Sequence, residues 1–134
     1  KKEKFNEAIS AYNNAVKLDN KYYVAYNNRG MAKYGKEDFD GAIQDFKRAL
    51  AIKSDYSFAF NNQASAYIGI EDWENAIKSA DQAINLDPNY TYAYYNRAIA
   101  KEMMRDLEGA CSEWMKASEL GLDAARIYYS STCK

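Results

Sequence analysis

A short segment of the chain recurs at intervals of 34 residues, and this period constrains the fold more than any other feature. Residues 26–30 (YNNRG) return as residues 60–64 (FNNQA) and as residues 94–98 (YYNRA). A second pattern repeats in step, in which an apolar residue is followed three and ten residues later by alanine. Its copies start at Phe5, Phe39, Trp73 and Leu107. A period of this length indicates stacked structural units rather than one closed core.

The apolar residues within each unit are three and four residues apart, which indicates helices. Acidic residues stand where each second helix is predicted to begin, at 37–38, 71–72 and 106. The single proline, Pro88, follows a predicted helix end. With only six glycines in 134 residues, the connections are expected to be short. The sequence therefore predicts an all-α fold in which each unit is a helix, a tight turn and a helix.

The repeated pattern of an aromatic residue, asparagine and a small residue, followed by an aromatic residue and Ala-Ile, resembles the tetratricopeptide repeat. Each unit is counted here from Tyr23, Ser57 or Thr91. The family's small residue at position 8 is Gly30, Ala64 and Ala98, and its alanine at position 20 is Ala42, Ala76 and Ala110. Residues 109–121 with Cys133 also resemble the C-terminal units of bacterial tetratricopeptide proteins. The resemblance implies a right-handed α-solenoid of helical hairpins.

The period divides the chain into five parts. Residues 1–22 are predicted to form the second helix of a truncated unit, residues 23–56, 57–90 and 91–122 three units, and residues 123–134 a capping helix. The truncated unit lacks its first helix, so its apolar face is expected to be open, whereas terminal repeats normally carry a polar cap. This end is expected to belong to a longer protein or to meet another molecule.

The composition argues against several classes of function. The chain has no histidine, and two cysteines alone cannot complete a four-coordinate zinc site. Its glycines stand singly rather than in a phosphate-binding loop. Lys and Arg are dispersed and the net charge is −1, so the electrostatic footprint of a nucleic-acid partner is missing. No apolar run suits direct membrane insertion. We therefore expect no enzyme activity, no cofactor and no bound metal.

Two arginines at position 7 of their units could be read as ligand-binding cations. Sixteen residues after Arg29 and Arg97 come the acids Asp45 and Glu113. The middle unit has an uncharged pair, Gln63 and Ser79, at the same two positions. Because both charges disappear together, the repeats favour ion pairs between the two helices of one hairpin.

The resemblance implies that positions 2, 5, 6, 9 and 12 of each unit line a concave groove. These are Val24, Asn27, Asn28, Met31 and Tyr34; Phe58, Asn61, Asn62, Ser65 and Ile68; and Tyr92, Tyr95, Asn96, Ile99 and Glu102. Only Glu102 is charged. Relatives that bind the acidic C-terminus of heat-shock chaperones need Lys or Arg on this surface. The corresponding places hold Val24, Asn27, Phe58, Asn61, Tyr92 and Tyr95.

The groove asparagines are the polar groups most suited to a ligand. Asn28, Asn62 and Asn96 recur at the repeat period, and an amide can pair with any extended peptide backbone. Alternatively, they bond neighbouring backbone or cap turns. Asn27 and Asn61 have the least local explanation. The predicted ligand-binding residues are Asn27, Asn28, Met31, Phe58, Asn61, Asn62, Ser65, Tyr92, Tyr95 and Asn96.

The two cysteines lie on either side of a predicted helix end at Gly121. Cys111 precedes it by ten residues and Cys133 follows it by twelve, so two antiparallel helices would bring them to nearly the same height. They form either a disulfide bond or two buried thiols. A disulfide bond would favour an oxidising compartment and therefore an exported protein.

These observations predict a non-catalytic interaction scaffold that binds a largely uncharged segment of another protein. One alternative is self-association, or packing against other parts of its own chain, through the open N-terminal helix. Another is a non-catalytic part of a larger enzyme or secretion complex.

Overall fold

The computed structural model describes residues 2–133, which form eight α-helices and no strand. The helices are α1 (Lys2–Leu18), α2 (Tyr23–Gly35), α3 (Phe39–Ile52), α4 (Ser57–Gly69), α5 (Trp73–Leu86), α6 (Thr91–Met103), α7 (Leu107–Glu119) and α8 (Asp123–Thr132). None of them combines the length and the apolar composition needed to span a bilayer. The prediction of an all-α helical repeat fold is confirmed.

Consecutive helices pack as hairpins, which then stack on one another. The pairs α2–α3, α4–α5 and α6–α7 form the hairpins, and α3–α4 and α5–α6 join one hairpin to the next. The first helices α2, α4 and α6 also contact each other in order. Helix α1 packs on α2, and none of its residues is buried. The stacked first helices therefore present one continuous face.

The core consists of small residues of both helices and large rings of the second helix. Alanines at positions 20 and 27 of the three complete units have no exposed surface, as in Ala42 and Ala49. At Gly30, a Cβ atom would lie 2.6 Å from the ring of Phe46, so only glycine leaves room for that ring. Trp114 occupies the position of Phe46 in the third unit, whereas the middle unit has Ala80. The helices of a hairpin can approach closely because these side chains are short.

Aspartate caps the second helix of each unit, where the sequence places its acidic residues. The Oδ1 atoms of Asp38, Asp72 and Asp106 accept hydrogen bonds from backbone N–H groups at distances of 3.0, 3.3 and 2.9 Å. The residue before each cap, Glu37, Glu71 or Arg105, has a positive φ of 65°, 61° or 67°. A left-handed residue followed by a capping aspartate therefore closes each turn.

Helix α8 covers the end of the last unit. Ala125 has no exposed surface, and the ring of Tyr128 stacks on Trp114 with centroids 5.4 Å apart. Cys111 and Cys133 form a disulfide bond that joins α7 to the end of α8. The aromatic stack and the bond together hold the capping helix on the third hairpin. The hypothesis of an exported protein stays a prediction.

Replacing Glu71 tests the backbone conformation of the turns. A residue with a Cβ atom costs about 1–2 kcal/mol in the left-handed region, and the greater freedom of glycine in the unfolded chain offsets part of that cost. We expect Glu71→Gly to have a free energy of unfolding about 0.5–1 kcal/mol higher than Glu71→Ala. Urea unfolding followed by circular dichroism measures this difference. Equal stability of the two variants would contradict a conformational cost at this turn.

Candidate functional site

The fifteen residues predicted to line a groove lie on α2, α4 and α6, and we call this surface the groove face. Its most exposed large side chains are Met31, Phe58 and Tyr92, with relative exposures of 50%, 57% and 58%. They come from three successive first helices. Only Glu102 carries a charge on this face. The groove face is therefore largely apolar, with amides between the rings.

A row of aromatic rings holds Phe58 in place at one edge of the groove face. The ring of Phe58 meets Tyr56 and Tyr90 edge to face, with centroids 6.0 and 5.6 Å apart. Tyr56 in turn meets Tyr23 at 5.1 Å. Such pairs favour a fixed ring orientation. Phe58 thus offers an exposed apolar surface on a supported ring.

Asparagines tie each first helix to the next. Asn62 donates from Nδ2 to Oδ1 of Asn27 at 3.1 Å, and Asn96 donates to Oδ1 of Asn61 at 2.9 Å. Asn27 and Asn61 are buried, with 4% and 7% of their surface exposed. The same relation between neighbouring units therefore occurs twice, one repeat apart.

The tyrosines at the junctions between units complete these ties. The Nδ2 atom of Asn27 donates to the hydroxyl of Tyr56 at 3.5 Å. Burial raises the pKa of the Tyr90 phenol, and a hydrogen bond with Asn61 offsets part of that rise. Burial likewise raises the pKa of Tyr56. Tyr56 and Tyr90 are therefore part of the packing between repeats.

Asn27 and Asn61, which have the least local explanation in the sequence, are part of the packing between repeats. Each is buried between a tyrosine at the end of its own unit and an asparagine of the next unit, and sequence spacing within one unit does not reveal these contacts. Three groove asparagines stay partly exposed, namely Asn28, Asn62 and Asn96. Asn28 makes no side-chain hydrogen bond within residues 2–133.

A small pocket of about 110 Å³ opens between α2 and α4 on the groove face. Its lining consists of Met31, Tyr34, Phe46, Asn62 and Ser65. Met31 also lines a larger, open cleft of about 380 Å³ between α1 and α2, together with Asn28 and the apolar side of α1. The apolar surface of the groove face thus continues towards the N-terminal end.

Tyr95 and Ser65 have neighbours that the sequence did not indicate. The ring of Tyr95 packs against Tyr128 of the capping helix, with centroids 6.0 Å apart. Burial raises the pKa of the Tyr95 phenol, and the neighbouring phenol of Tyr128 raises this pKa further. The hydroxyl of Ser65 accepts a hydrogen bond from Asn96 at 3.0 Å. Helix α8 therefore limits the groove face beside Tyr95.

Arg29 lies between two second helices. It donates from Nε and Nη2 to the two carboxylate oxygens of Asp45, at 2.9 and 2.7 Å, and from Nη1 to Asn13 of α1 at 3.0 Å. Asp45 has no exposed surface and also meets Lys33 at 3.0 Å and Arg48 at 2.8 Å. Each of the three guanidinium nitrogens of Arg29 therefore donates a hydrogen bond within the protein.

Arg97 makes the equivalent contacts in the third unit. Its Nε donates to Glu113 of α7, and its Nη1 donates to Asp81 of α5 at 2.7 Å. In the middle unit the hydroxyl of Ser79 donates to Oε1 of Gln63 at 3.2 Å. The sequence did not predict the contacts of Arg29 with Asn13 and of Arg97 with Asp81, although both partners stand at position 25 of the preceding unit. Each position-7 residue thus bonds the second helix of its own hairpin.

The charge of Asp45 is maintained against burial. Burial alone raises the pKa of Asp45, but hydrogen bonds from Arg29 and Lys33 outweigh it, so that its pKa lies below the ordinary value. The hydrogen bond to Asp45 is the largest influence on Arg29, and it raises the pKa of the guanidinium. Both groups are ionised at neutral pH, and the pair is structural.

Replacing Asp45 tests this pair and its pH dependence. We expect Asp45→Asn to lower the free energy of unfolding at pH 7 by about 3 kcal/mol, because it leaves partly buried cations without their acid. Ser79→Ala, the matched change in the middle unit, should cost about 1 kcal/mol. Urea unfolding of both variants measures the two losses.

The difference between the original protein and Asp45→Asn should also depend on pH. The pKa of Asp45 is lowered in the folded state. The stabilisation by the ionised Asp45 carboxylate is therefore complete above its pKa in the unfolded chain, about 4. It is lost as the pH falls through the lower pKa of the folded protein. Unfolding measured from about pH 7 to pH 3 should show the two proteins converging in the acid range. A constant difference would contradict the lowered pKa.

Comparison with known proteins identifies the repeats. Residues 23–56 and residues 59–90 each match a family model described as tetratricopeptide repeat. Among curated protein sequences, none matches the chain significantly.

Solved structures share the fold along most of the chain. A structure titled "Crystal structure of MamA" is 25% identical, with a TM-score of 0.82, and the match covers 91% of this chain and 71% of that one. The second tetratricopeptide domain of human RPAP3, in complex with the HSP70 peptide SGPTIEEVD, is 26% identical with a TM-score of 0.77. That match covers 83% of this chain and 94% of the RPAP3 chain. The Arabidopsis OM64 domain, at 18% identity and a TM-score of 0.80 over 82% and 93% of the two chains, shows the fold alone.

Proposed function

The chain belongs to the tetratricopeptide repeat family, and from that premise we propose that its groove face binds an extended, largely uncharged segment of another protein. Repeats of this family are non-catalytic modules for protein–protein interaction, and the chain is such a scaffold. The proposed groove is built from units 23–56, 57–90 and 91–122 and ends at the capping helix α8. The observation that carries the proposal is a face with one charge among fifteen residues and four exposed large apolar side chains, namely Met31, Tyr34, Phe58 and Tyr92.

The charge of the groove face supports an uncharged ligand. The human RPAP3 domain is in complex with a peptide that ends in Glu-Glu-Val-Asp. Carboxylates of such a peptide favour charge-assisted hydrogen bonds from Lys or Arg. In this chain Arg29 and Arg97 are held by Asp45 and Glu113. The groove face has no other cation that could bind the carboxylates of a ligand, since its only charged residue is Glu102.

The partly exposed amides support recognition of a peptide backbone. Asn62 and Asn96 use Nδ2 to bond Asn27 and Asn61, which fixes the orientation of both side chains. Their Oδ1 atoms make no hydrogen bond within residues 2–133, so each can accept one from a peptide N–H group. Asn28 adds an amide at the same position of the first unit. Backbone recognition of this kind requires no charge on the ligand.

The pocket beside Asn62 supports an apolar anchor in the ligand. Met31, Tyr34 and Phe46 supply most of its wall, and Asn62 and Ser65 lie at its polar side. A side chain of the bound segment would enter this pocket while its backbone meets the adjacent amide. Phe58 and Tyr92 would contact apolar side chains farther along the segment.

Selection from a random peptide library displayed on phage tests the groove directly. We expect the selected peptides to carry little net charge and at least one large apolar residue. Phe58→Ala and Tyr92→Ala should each weaken their binding by about 1–2 kcal/mol, because both rings are exposed on the groove face. Ile127→Ala is the matched control, since Ile127 is 66% exposed on α8 and is not one of the fifteen groove-face residues. Titration calorimetry measures the three affinities, and an equal loss in all three variants would contradict the proposal.

The peptide SGPTIEEVD provides a second test. We expect no measurable binding of it at concentrations that saturate the selected peptides, because the groove face lacks cations. The affinity of the selected peptides should change little between low and high salt, since exposed ionic attraction is what salt screens. Fluorescence anisotropy with labelled peptides measures both. Tight binding of SGPTIEEVD, or a steep loss of affinity with salt, would count against an uncharged ligand.

A further inference from the structure

The middle unit differs from its neighbours at one repeated structural position. In the first and third units an arginine and a carboxylate fill the space beside the second helix. In the middle unit the shorter, uncharged Gln63 and Ser79 take their place. An open cleft of about 360 Å³ lies here between α3, α4 and α5. We call it the middle cleft; its lining is Lys47, Phe60, Gln63, Tyr67, Asn75, Lys78, Ser79 and Gln82.

The lining of the middle cleft is rich in hydrogen-bond donors and contains no acid. Lys47 and Lys78 both line it, and neither lies within 4.0 Å of a carboxylate oxygen in the part of the chain that the structure describes. Tyr67 and Gln82 contribute a hydroxyl and an amide. Two positive charges thus face the cleft without a compensating negative charge.

Gln63 shows that the cleft is more than a pair of surface lysines. The side chain is buried, with 7% of the residue exposed, and its Oε1 atom accepts a hydrogen bond from Ser79. Its Nε2 group, which can donate two hydrogen bonds, makes none within residues 2–133. This donor is not enclosed by the protein and reaches the surface of the open cleft, where an acceptor can approach it.

We infer that the middle cleft binds the carboxylate of an aspartate or glutamate side chain from a partner protein. The corresponding place in the first unit holds the carboxylate of Asp45, surrounded by Arg29, Lys33 and Arg48. The third unit holds Glu113 there. The middle unit keeps donors around this place but has Ser79 instead of an acid. An external carboxylate completes the arrangement that its neighbours make internally.

This site is separate from the groove face. Phe60, Gln63 and Tyr67 lie on one side of α4, whereas Phe58, Asn61 and Ser65 lie on the other, because each residue of a helix turns by about 100°. A carboxylate in the middle cleft would therefore not displace a segment in the groove. The inference goes beyond the proposed function, and either can fail without the other.

Nuclear magnetic resonance of ¹⁵N-labelled protein tests the inference with small probes. The probes are the capped tripeptide acetyl-Gly-Glu-Gly-amide, its glutamine counterpart acetyl-Gly-Gln-Gly-amide, and inorganic phosphate, each titrated at low chloride concentration. We expect the glutamate peptide to shift the side-chain amide of Gln63 and the backbone amide of Ser79 in a saturable way. The glutamine peptide should cause no saturable shift at these groups. Equal shifts from both peptides would overturn the proposal, as would a response to phosphate alone.

Two kinds of variant locate the bound carboxylate. Gln63→Arg together with Ser79→Asp rebuilds the pair of the first unit, and we expect it to abolish the shifts from the glutamate peptide. Lys78→Met should weaken binding by about two- to fivefold, the range of an exposed ion pair. Lys116→Met, on α7, is the control and should have no effect. Unchanged binding by Lys78→Met, whose exposed side chain can be replaced without disturbing the fold, would overturn the assignment even if the double variant failed to fold.

Binding of a groove-selected peptide to the same proteins separates this inference from the proposed function. The double variant should keep the full affinity of that peptide, because Gln63 lies on the side of α4 opposite the groove face and Ser79 lies on α5. Loss of both kinds of binding would show that the middle cleft and the groove face are not separate sites, and would overturn the inference. The proposed function would still be tested by Phe58→Ala and Tyr92→Ala.

Discussion

The ring of Phe46 packs against Gly30 at a distance that excludes a Cβ atom, and the rest of the hairpin is arranged around this close approach. In the other two units, the same position holds the short, fully buried side chains of Ala64 and Ala98. Since close contact between helices requires short side chains, the large rings of the second helices can fill the core. The groove-face side of each first helix is not required for the core, and large side chains on that side are exposed.

Two sets of polar contacts hold successive hairpins in register. On the groove side, Asn62 bonds Asn27 and Asn96 bonds Asn61, each across one junction between units. On the opposite side, Arg97 bonds Asp81 of the preceding unit. Polar groups that bond across a junction between units favour one packing arrangement over others. We infer that these contacts keep the exposed groove residues at fixed separations, as recognition of an extended segment requires.

The middle unit shows how one repeat can differ without changing the fold. It has Ala80 where its neighbours have Phe46 and Trp114, and it lacks the buried ion pair. Its helices nevertheless pack in the same order as those of the other units. The hairpin therefore forms without a large ring at position 24 and without a buried ion pair. The uncharged residues at the positions of the ion pair, Gln63 and Ser79, are the ones on which we base a second binding site.

Most of the fold could be predicted from the sequence because its determinants are local or repeat at a fixed period. Spacing of three and four residues identifies helices, and the acidic residues mark the turns in which Glu71 adopts a left-handed conformation and Asp72 caps the next helix. The middle unit has no charge at the positions of Arg29 and Asp45, and this joint absence indicates that the two residues form an ion pair. Each of these signals lies within one repeat unit.

The parts that could not be predicted depend on how neighbouring units stack. Asn27 is buried by a tyrosine and by an asparagine 35 residues away, and nothing in a single unit indicates that contact. Tyr95 meets Tyr128 only because α8 lies where a further first helix would stand. The middle cleft likewise arises from three helices of two units. Sequence periodicity identifies equivalent positions, but it does not give the distances between them.

A crystal structure of the chain with a peptide selected against it would show where the bound segment lies. We expect an extended peptide on α2, α4 and α6, with an apolar side chain in the pocket beside Met31 and backbone groups within hydrogen-bond distance of Asn62 and Asn96. A peptide bound on the second helices α3, α5 and α7, or on α1 alone, would contradict a binding site on the groove face.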